Sequence, residues 1–269
     1  MESSSLEEIC CLTCKEVEAT ANFIKEHIGK INNAQVEHKS FNSLVSFVDK
    51  AAEDLLKQSL IKIVPGSGFI AEESEETGCD ADYKWIIDPL DGTTNFLHQL
   101  PFFAISVALA YKDELIVGVV FDIVHNDSFY AWKEGGSYLN GRKISVSQND
   151  KLGDCLVATG FPYYDFTWMD SYLRCFRHFM HTTRGVRRIG SAALDLAYVA
   201  CGRFDFYFEY SLQKWDMAAG ILLVTEAGGK ITDLKGNNNF LNNGSIIASS
   251  DMIFSKVLEV IKPEFSNYT

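Results

Sequence analysis

Two aspartates that follow a short apolar run are the first candidates for chemistry in this sequence. Residues 85–87 are apolar and lead into Asp88, and Asp91 follows three residues later. Pro89 fixes the backbone between the aspartates, so that both carboxylates are presented together with the carbonyl of Leu90. Oxygen atoms of this kind are the ligands that Mg²⁺ prefers. A polar turn that only caps a helix is the alternative interpretation of this spacing.

Backbone amides just after the second aspartate suit a phosphate group. Gly92, Thr93 and Thr94 are expected to open a helical turn, and the free N–H groups at the start of a helix attract anions. The same stretch therefore offers ligands for a cation and donors for an anion, which is the combination that phosphoryl chemistry requires.

Two more acidic positions lie beside predicted elements elsewhere in the chain. Glu72 directly follows an apolar run at 68–71 that reads as a buried strand. Asp216 stands just before an apolar, small-residue stretch at 217–227, and Asp is a good N-cap for such a helix. Capping and metal binding are compatible, because a carboxylate in the first turn can point away from the helix.

The pattern along the chain predicts a layered α+β architecture. Helical spacing is found early and again after residue 45, whereas residues 102–146 read as a meander of antiparallel strands. Strands and helices then alternate irregularly, so we expect a large sheet in an N-terminal half, about 1–150, and a smaller α/β unit in about 151–269. The predicted helices cover residues 6–28, 45–60, 166–181, 190–201, 216–227 and 251–261. The strands predicted in the second half cover residues 155–159, 204–208 and 245–248.

The overall charge argues against polyanionic partners. The chain has 24 Lys and Arg against 36 Asp and Glu, which gives a formal charge of −12, so neither nucleic acid nor an anionic membrane is an expected partner. Seven cysteines without paired spacing favour free thiols, and Cys11 and Cys14 read as helix residues rather than as a zinc site. With no secretory signal and no long apolar run, the expected location is the cytoplasm.

Four motifs, in order and over nearly the whole chain, resemble the inositol monophosphatase family of Mg²⁺-dependent, lithium-sensitive phosphatases. They are IAEES at 70–74, WIIDPLDGTTNF at 85–96, GSAALD at 190–195, and WDMAAG at 215–220 with TEAGG at 225–229. The resemblance implies a single domain over residues 1–269, folded as the layered αβαβα sandwich of the inositol monophosphatase and fructose-1,6-bisphosphatase type. It also implies a homodimer.

The resemblance implies two to three Mg²⁺ ions and assigns their ligands. Glu72, Asp88 and the Leu90 carbonyl would hold one ion, and a second would lie between Asp88, Asp91 and Asp216. A third, weaker ion would contact Glu72 largely through water.

Catalytic and substrate positions follow from the same resemblance. Thr93, assisted by Asp49, would orient a metal-activated water that attacks phosphorus directly, with Glu72 as the third catalytic position. A solvated helix residue is the alternative for Asp49, and a surface charge at a strand end is the alternative for Glu209. His38 and Lys39 could bring positive charge near the phosphate, or could lie in an exposed loop. The substrate-binding positions implied are Gly92, Thr93, Gly190, Ser191, Ala192, Glu209 and Asp216.

The expected function is Mg²⁺-dependent hydrolysis of a small phosphate monoester, inositol monophosphate before others. The same fold and chemistry acting on fructose 1,6-bisphosphate, histidinol phosphate or 3′-phosphoadenosine 5′-phosphate is the alternative. A non-catalytic binding or scaffold protein is a third possibility, although every metal ligand implied by the family is present. A dinucleotide-binding protein is disfavoured because no G-x-G-x-x-G follows a first strand.

Overall fold

Helices on both faces of two sheets make up the fold. The computed structural model describes residues 5–31, 36–40, 43–162 and 165–267, and for residues 36–40 and 43–46 the backbone alone, so the side chains of His38 and Lys39 lie outside the described residues. The described helices are α1 (Leu6–Lys25), α2 (Phe47–Ile63), α3 (Thr93–Leu97), α4 (Met169–Thr182), α5 (Ala192–Ala200), α6 (Lys214–Glu226), α7 (Phe240–Asn243) and α8 (Asp251–Glu264).

The strands form a large sheet, a small sheet and a hairpin. The hairpin consists of β1 (Val36–Ser40) and β2 (Ser43–Ser46). The large sheet has the strand order β3 (Gly68–Ala71), β4 (Tyr83–Asp91), β5 (Ala104–Tyr111), β6 (Glu114–Asp122), β7 (Asp127–Trp132), β8 (Gly136–Leu139) and β9 (Arg142–Lys143). The small sheet has the order β11 (Gly185–Arg187), β10 (Leu156–Thr159), β12 (Phe206–Tyr210), β14 (Ser245–Ser250) and β13 (Gly229–Thr232).

Strand direction in the two sheets differs as the sequence pattern predicts. In the large sheet only β3 and β4 are parallel, and the remaining neighbours form the expected antiparallel meander. In the small sheet β10 runs parallel to both β11 and β12, while β14 is antiparallel to β12 and β13. Parallel neighbours need a crossover connection, and α4 and α5 provide it.

Three apolar clusters define five layers. One cluster joins α1 and α2 to one face of the large sheet, and another joins α4 and α8 to the outer face of the small sheet. Between the sheets, α5 and α6 contribute small and apolar side chains to a cluster that includes residues from both sheets. The layers are therefore helix, sheet, helix, sheet and helix, which confirms the predicted αβαβα arrangement.

The opening helix shows how local sequence sets an element boundary. Ser5 accepts a hydrogen bond from the backbone of Glu8 at 3.2 Å, and the Glu8 carboxylate accepts one from the backbone of Ser5 at 2.9 Å. This reciprocal pair satisfies two free N–H groups at the start of α1. The helix ends at Lys25, three residues before the predicted end, because turns cover the remainder of the stretch.

Several predicted elements are correct in type but shifted, and several short ones are missing from the prediction. The strand predicted at 204–208 is β12, which lies two residues further on, and the helix predicted at 216–227 begins at Lys214. The hairpin, β11, β13 and α7 have no apolar periodicity strong enough to predict them. In the described part of the chain, no helix is long and apolar enough to cross a membrane.

The close approach of α5 and α6 gives a test of the central layer. A Cβ added at Gly220 would lie 2.4 Å from the Leu196 Cβ, so Gly220→Ala should lower the free energy of unfolding by about 1–3 kcal/mol through overpacking. Gly153→Ala is the matched control, because an added Cβ there meets no atom within 4 Å. Urea unfolding of both variants measures the difference, and equal stability of the two would contradict this account of the packing.

Candidate active site

The predicted site residues gather around one cavity beside the central helix layer. Its volume is about 350 Å³, and all of the predicted site residues except Asp49 line it. They come from the ends of β3 and β4, the starts of α3, α5 and α6, and the strand β12. Residues distant in sequence are therefore brought together by the layer packing.

The two aspartates of the opening motif lie at an irregular end of β4. The pairing of β4 with β5 shifts register between Asp88 and Asp91, so both carboxylates leave the regular ladder. The Leu90 amide donates to Asp88 Oδ1 at 2.9 Å. Asp91 Oδ2 accepts hydrogen bonds from the Ser191 hydroxyl at 2.6 Å and the Ala193 amide at 2.7 Å. The start of α5 thus holds the second aspartate.

Glu72 lies where β3 ends, and a buried residue of α2 fixes this turn. The Glu72 amide donates to Ile87 O at 3.2 Å, which continues the pairing with β4. One step further, Glu53 accepts hydrogen bonds from the Glu73 amide at 2.8 Å and from the Ser74 hydroxyl at 2.5 Å. Sequence reasoning missed Glu53; its position on the apolar stripe of α2, four residues after Asp49, was the available signal.

Asp216 enters the site from the first turn of α6, and its predicted N-cap position is wrong. The helix begins at Lys214, so Asp216 is its third residue, and its Oδ2 accepts a hydrogen bond from the Gln213 amide at 2.7 Å. The side chain thus still satisfies a free amide at the helix start, as capping requires. The Ser106 hydroxyl of β5 donates to Trp215 O at 3.1 Å and connects the same turn to the large sheet.

The carboxylates lie close enough to influence one another's ionisation. Burial, followed by the charges of Glu72, Asp91 and Asp216, holds the pKa of Asp88 well above its usual range. Burial and the charge of Asp91 do the same to the pKa of Asp216. For Asp91 burial raises the pKa to about 6, although hydrogen bonds from Ser191 and Ala193 act to lower it. Negative charge is therefore concentrated here at a cost to the metal-free protein.

The donor set fits a hard divalent cation. Four acidic residues and Leu90 line one cavity, and a bound cation would relieve the repulsion that raises the carboxyl pKa values. Among the residues that the structure describes, however, no three His, Cys, Asp or Glu side chains already have the arrangement of a formed metal site. Hydrogen bonds to Ser191, Ala193 and Gln213 hold the carboxylates instead.

Thr93 and Asp49 form a hydrogen-bonded pair at the edge of this group. The Thr93 hydroxyl is 2.9 Å from Asp49 Oδ1 and 3.0 Å from Leu90 O, and it can donate to either. Asp49 is 1% exposed, so the alternative of a solvated helix residue is wrong. The pair connects α2 to the start of α3, and it leaves the lone pairs of the hydroxyl free to accept a hydrogen bond.

Glu209 lies in the cavity wall rather than on the surface, so the surface-charge alternative is wrong. It is 8% exposed, and its Oε2 accepts a hydrogen bond from the Tyr207 hydroxyl at 2.5 Å. Gly160 makes room for it, because a Cβ at that position would overlap the carboxylate. Burial raises the pKa of Glu209 to about 7, while Tyr207 and the positive charge of Arg188 act in the opposite direction.

Three further residues at the cavity were not predicted as site residues. Arg188 and Asp195 line the cavity beside Glu209. Asn95 is buried, and its amide Nδ2 donates to Phe102 O at 2.6 Å and to Ile189 O at 2.8 Å, which joins the β4 turn to the start of α5. Asn95 and Asp195 both belong to motifs found in the sequence, but nothing local distinguishes them from ordinary helix residues.

Comparison with known proteins identifies the chain's relatives. A sequence profile of the inositol monophosphatase family matches residues 5–264. The chain is 45% identical over 235 residues to an inositol-1-monophosphatase of Rhizobium meliloti, covering 87% of this chain and 88% of that one. It is 42% identical over 257 residues to Nus factor SuhB of Pseudomonas aeruginosa, covering 94% and 95%.

Solved structures give the same result for the fold. The crystal structure of the extragenic suppressor protein suhB from Bartonella henselae has a TM-score of 0.90 and 40% identity, covering 96% of this chain and 99% of that one. An IMPase of Thermotoga maritima has a TM-score of 0.85 and 34% identity, covering 95% and 97%.

The raised pKa of Glu209 predicts a pH-dependent stability. In the metal-free protein the pKa of Glu209 moves from an ordinary 4.5 to about 7. The protonated side chain therefore contributes its full stability below pH 4.5, and this contribution is lost as the pH rises through 7. Glu209→Gln cannot ionise but keeps an acceptor for Tyr207. Between pH 4.5 and 8 the wild type should lose about 3 kcal/mol more unfolding free energy than the variant. Urea titrations with a chelator measure this; parallel pH profiles would contradict the burial argument.

Proposed function

Because this chain belongs to the inositol monophosphatase family and is a phosphoric monoester hydrolase, we propose that it hydrolyses small phosphate monoesters with Mg²⁺, inositol monophosphates foremost. One observation carries the proposal. Acidic side chains from separate parts of the chain border a single cavity, and the Thr93 hydroxyl in its lining is hydrogen-bonded to the buried Asp49 carboxylate. A binding or scaffold protein would have no need to bury so much like charge.

Two groups of oxygen ligands are proposed for Mg²⁺. Glu72, Asp88 and the Leu90 carbonyl would hold one ion, and Asp88, Asp91 and Asp216 a second. The third, weaker ion near Glu72 and the sensitivity to lithium remain proposals from the family resemblance. When bound, Mg²⁺ lowers the pKa of water and offsets charge on the phosphoryl and leaving oxygens.

The pair Thr93 and Asp49 is proposed to orient the attacking water. Asp49 accepts a hydrogen bond from the Thr93 hydroxyl, so the hydroxyl oxygen can accept a hydrogen bond from the water and fix its direction. Asp49 acts as the partner that keeps the hydroxyl in this orientation. Glu72, which directly follows β3, is proposed as the third catalytic residue.

The substrate is proposed to bind between the β4 turn and the start of α5. Gly92 and Thr93 would face the phosphate, while Glu209 would accept hydrogen bonds from hydroxyl groups of the alcohol. Gly190, Ser191, Ala192 and Asp216 complete the proposed substrate set. A carboxylate facing hydroxyl groups favours polyols over apolar alcohols. Inositol phosphates are the polyol esters proposed first, and fructose 1,6-bisphosphate, histidinol phosphate and 3′-phosphoadenosine 5′-phosphate are the alternative substrates.

Apart from a small phosphorylated substrate, the partners of this protein and its cellular location remain predictions. Relatives are named Nus factor SuhB, which makes a transcription complex an alternative partner of this chain. The formal charge of −12 does not favour direct contact with RNA or DNA, so we retain the prediction of no nucleic-acid partner. A filter-binding assay with structured RNA tests it. The cytoplasmic location and the single domain over residues 1–269 likewise remain predictions.

Phosphate release from inositol 1-phosphate tests the proposed function. We expect turnover that requires Mg²⁺, that exceeds turnover of the three alternative substrates in kcat/KM, and that lithium inhibits. If the protein hydrolyses none of these four esters in the presence of Mg²⁺, the proposal is refuted.

A matched pair of variants extends the same assay. Thr93→Ala should lower kcat by about 10²- to 10⁴-fold with little change in KM, because the water loses its orienting acceptor. Thr225→Ala is the control, since Thr225 lies at the far end of α6 and its hydroxyl donates only within the helix, to Ile221 O at 2.8 Å.

A homodimer is proposed from the resemblance and from an exposed apolar face. Leu173 and Met180 lie seven residues apart on α4, so they share one face of the helix, and both are exposed. We expect sedimentation equilibrium to give twice the chain mass of 30.1 kDa, and Leu173→Glu to reduce it toward the monomer. Met252→Glu on α8 is the exposed control. A monomeric wild type would contradict the proposal.

A further inference from the structure

One carboxyl group in the cavity is not a proposed metal ligand, and one of its oxygens has no hydrogen-bond partner. Asp195 lies in the first turn of α5, lines the cavity and is only 1% exposed. Its Oδ1 atom is buried and has no hydrogen-bond partner. Leaving a buried acceptor unpaired costs stability, so such a group in a folded protein calls for a functional explanation.

Two buried aspartates outside the cavity differ from Asp195, because each has several hydrogen-bond donors. Asp205, outside the cavity, accepts hydrogen bonds from the Ser147 hydroxyl at 2.5 Å, the Asn149 amide at 2.8 Å and the Leu156 backbone at 2.6 Å. Asp233 accepts hydrogen bonds from the Lys235 and Asn237 backbones at 2.9 and 2.8 Å. The fold therefore supplies donors where an aspartate is structural.

The surroundings of Asp195 indicate what kind of group could pair with it. Burial and then the charge of Glu209 raise the pKa of Asp195 well above its usual range, so its neutral form is favoured, which can both donate and accept. The positive charge of Arg188 acts on both acids. The ammonium group of an amino alcohol would be repelled by Arg188 and would find Asp195 in its neutral form, which does not attract a cation. A hydroxyl group matches the site better.

We propose that Asp195 is a specificity-determining residue that hydrogen-bonds a hydroxyl group of the substrate's alcohol part, next to the hydroxyl that donates a hydrogen bond to Glu209. The inference rests on the proposed phosphatase function and deepens it. Glu209 already has the Tyr207 hydroxyl as a partner on Oε2, whereas no protein group donates to Oδ1 of Asp195. Two adjacent carboxyl groups would thus distinguish a polyol from an alcohol with one oxygen.

The test compares two esters that differ in the hydroxyl groups of the alcohol. Inositol 1-phosphate carries several, and phenyl phosphate carries none. Asp195→Ala should lower kcat/KM for inositol 1-phosphate by about 10- to 100-fold and change it for phenyl phosphate by less than about 3-fold. Asp195→Asn, which keeps one donor and one acceptor, should restore most of the preference.

A stability measurement separates this role from a structural one. Because no protein donor pairs with Asp195 Oδ1, Asp195→Ala should not lower the Tm. Asp205→Ala is the matched control and should lower the Tm while leaving the ratio of the two kcat/KM values unchanged. Equal losses on both esters with a lower Tm, or an unchanged ratio in Asp195→Ala, would overturn the role of Asp195. Wild-type protein that hydrolyses neither ester would instead overturn the proposed function itself.

Discussion

Mutual repulsion among buried carboxylates is the constraint around which the site is built. Burial alone penalises each charged form, and the neighbouring acids add to the penalty at Asp88. The donors that hold two of these carboxylates directly are neutral: a hydroxyl and an amide at Asp91, and an amide at Asp216. Such donors hold the carboxylates in place without neutralising them. The remaining negative charge is available to divalent cations, which is the state that phosphoryl transfer needs.

Much of the fold follows from the sequence where apolar periodicity is strong. The buried runs of β3 and β4 lead into Glu72 and Asp88, and the helices α2, α4 and α6 are predicted within a few residues. The hairpin, β11 and β13 are short and partly polar, so pairing with neighbouring strands rather than their own pattern decides their structure. The continuation of β4 through Pro89 to Asp91 depends on β5, which a local reading cannot include.

For the site, the sequence reveals which acids matter but not what holds them. The pairing of Thr93 with Asp49 joins residues 44 positions apart, and Asn95 reaches Ile189 across 94 positions. Such contacts arise from the packing of layers, so local pattern contains no record of them. Glu53 is an intermediate case: an acid on an apolar helix face is visible in the sequence, but its partners at Glu73 and Ser74 are not.

The amide of Asn95 ties the turn that ends β4 to the loop that begins α5, so the large sheet and the central helices share a joint at the cavity. Asp91 makes a second tie at the same joint. Any ion that binds only the native arrangement there stabilises the layers on both sides at once, by about 2.7 kcal/mol at a hundred times its dissociation constant. Divalent ions bound as proposed would therefore also protect the chain from unfolding, and their removal would lower its resistance to proteolysis of the unfolded form.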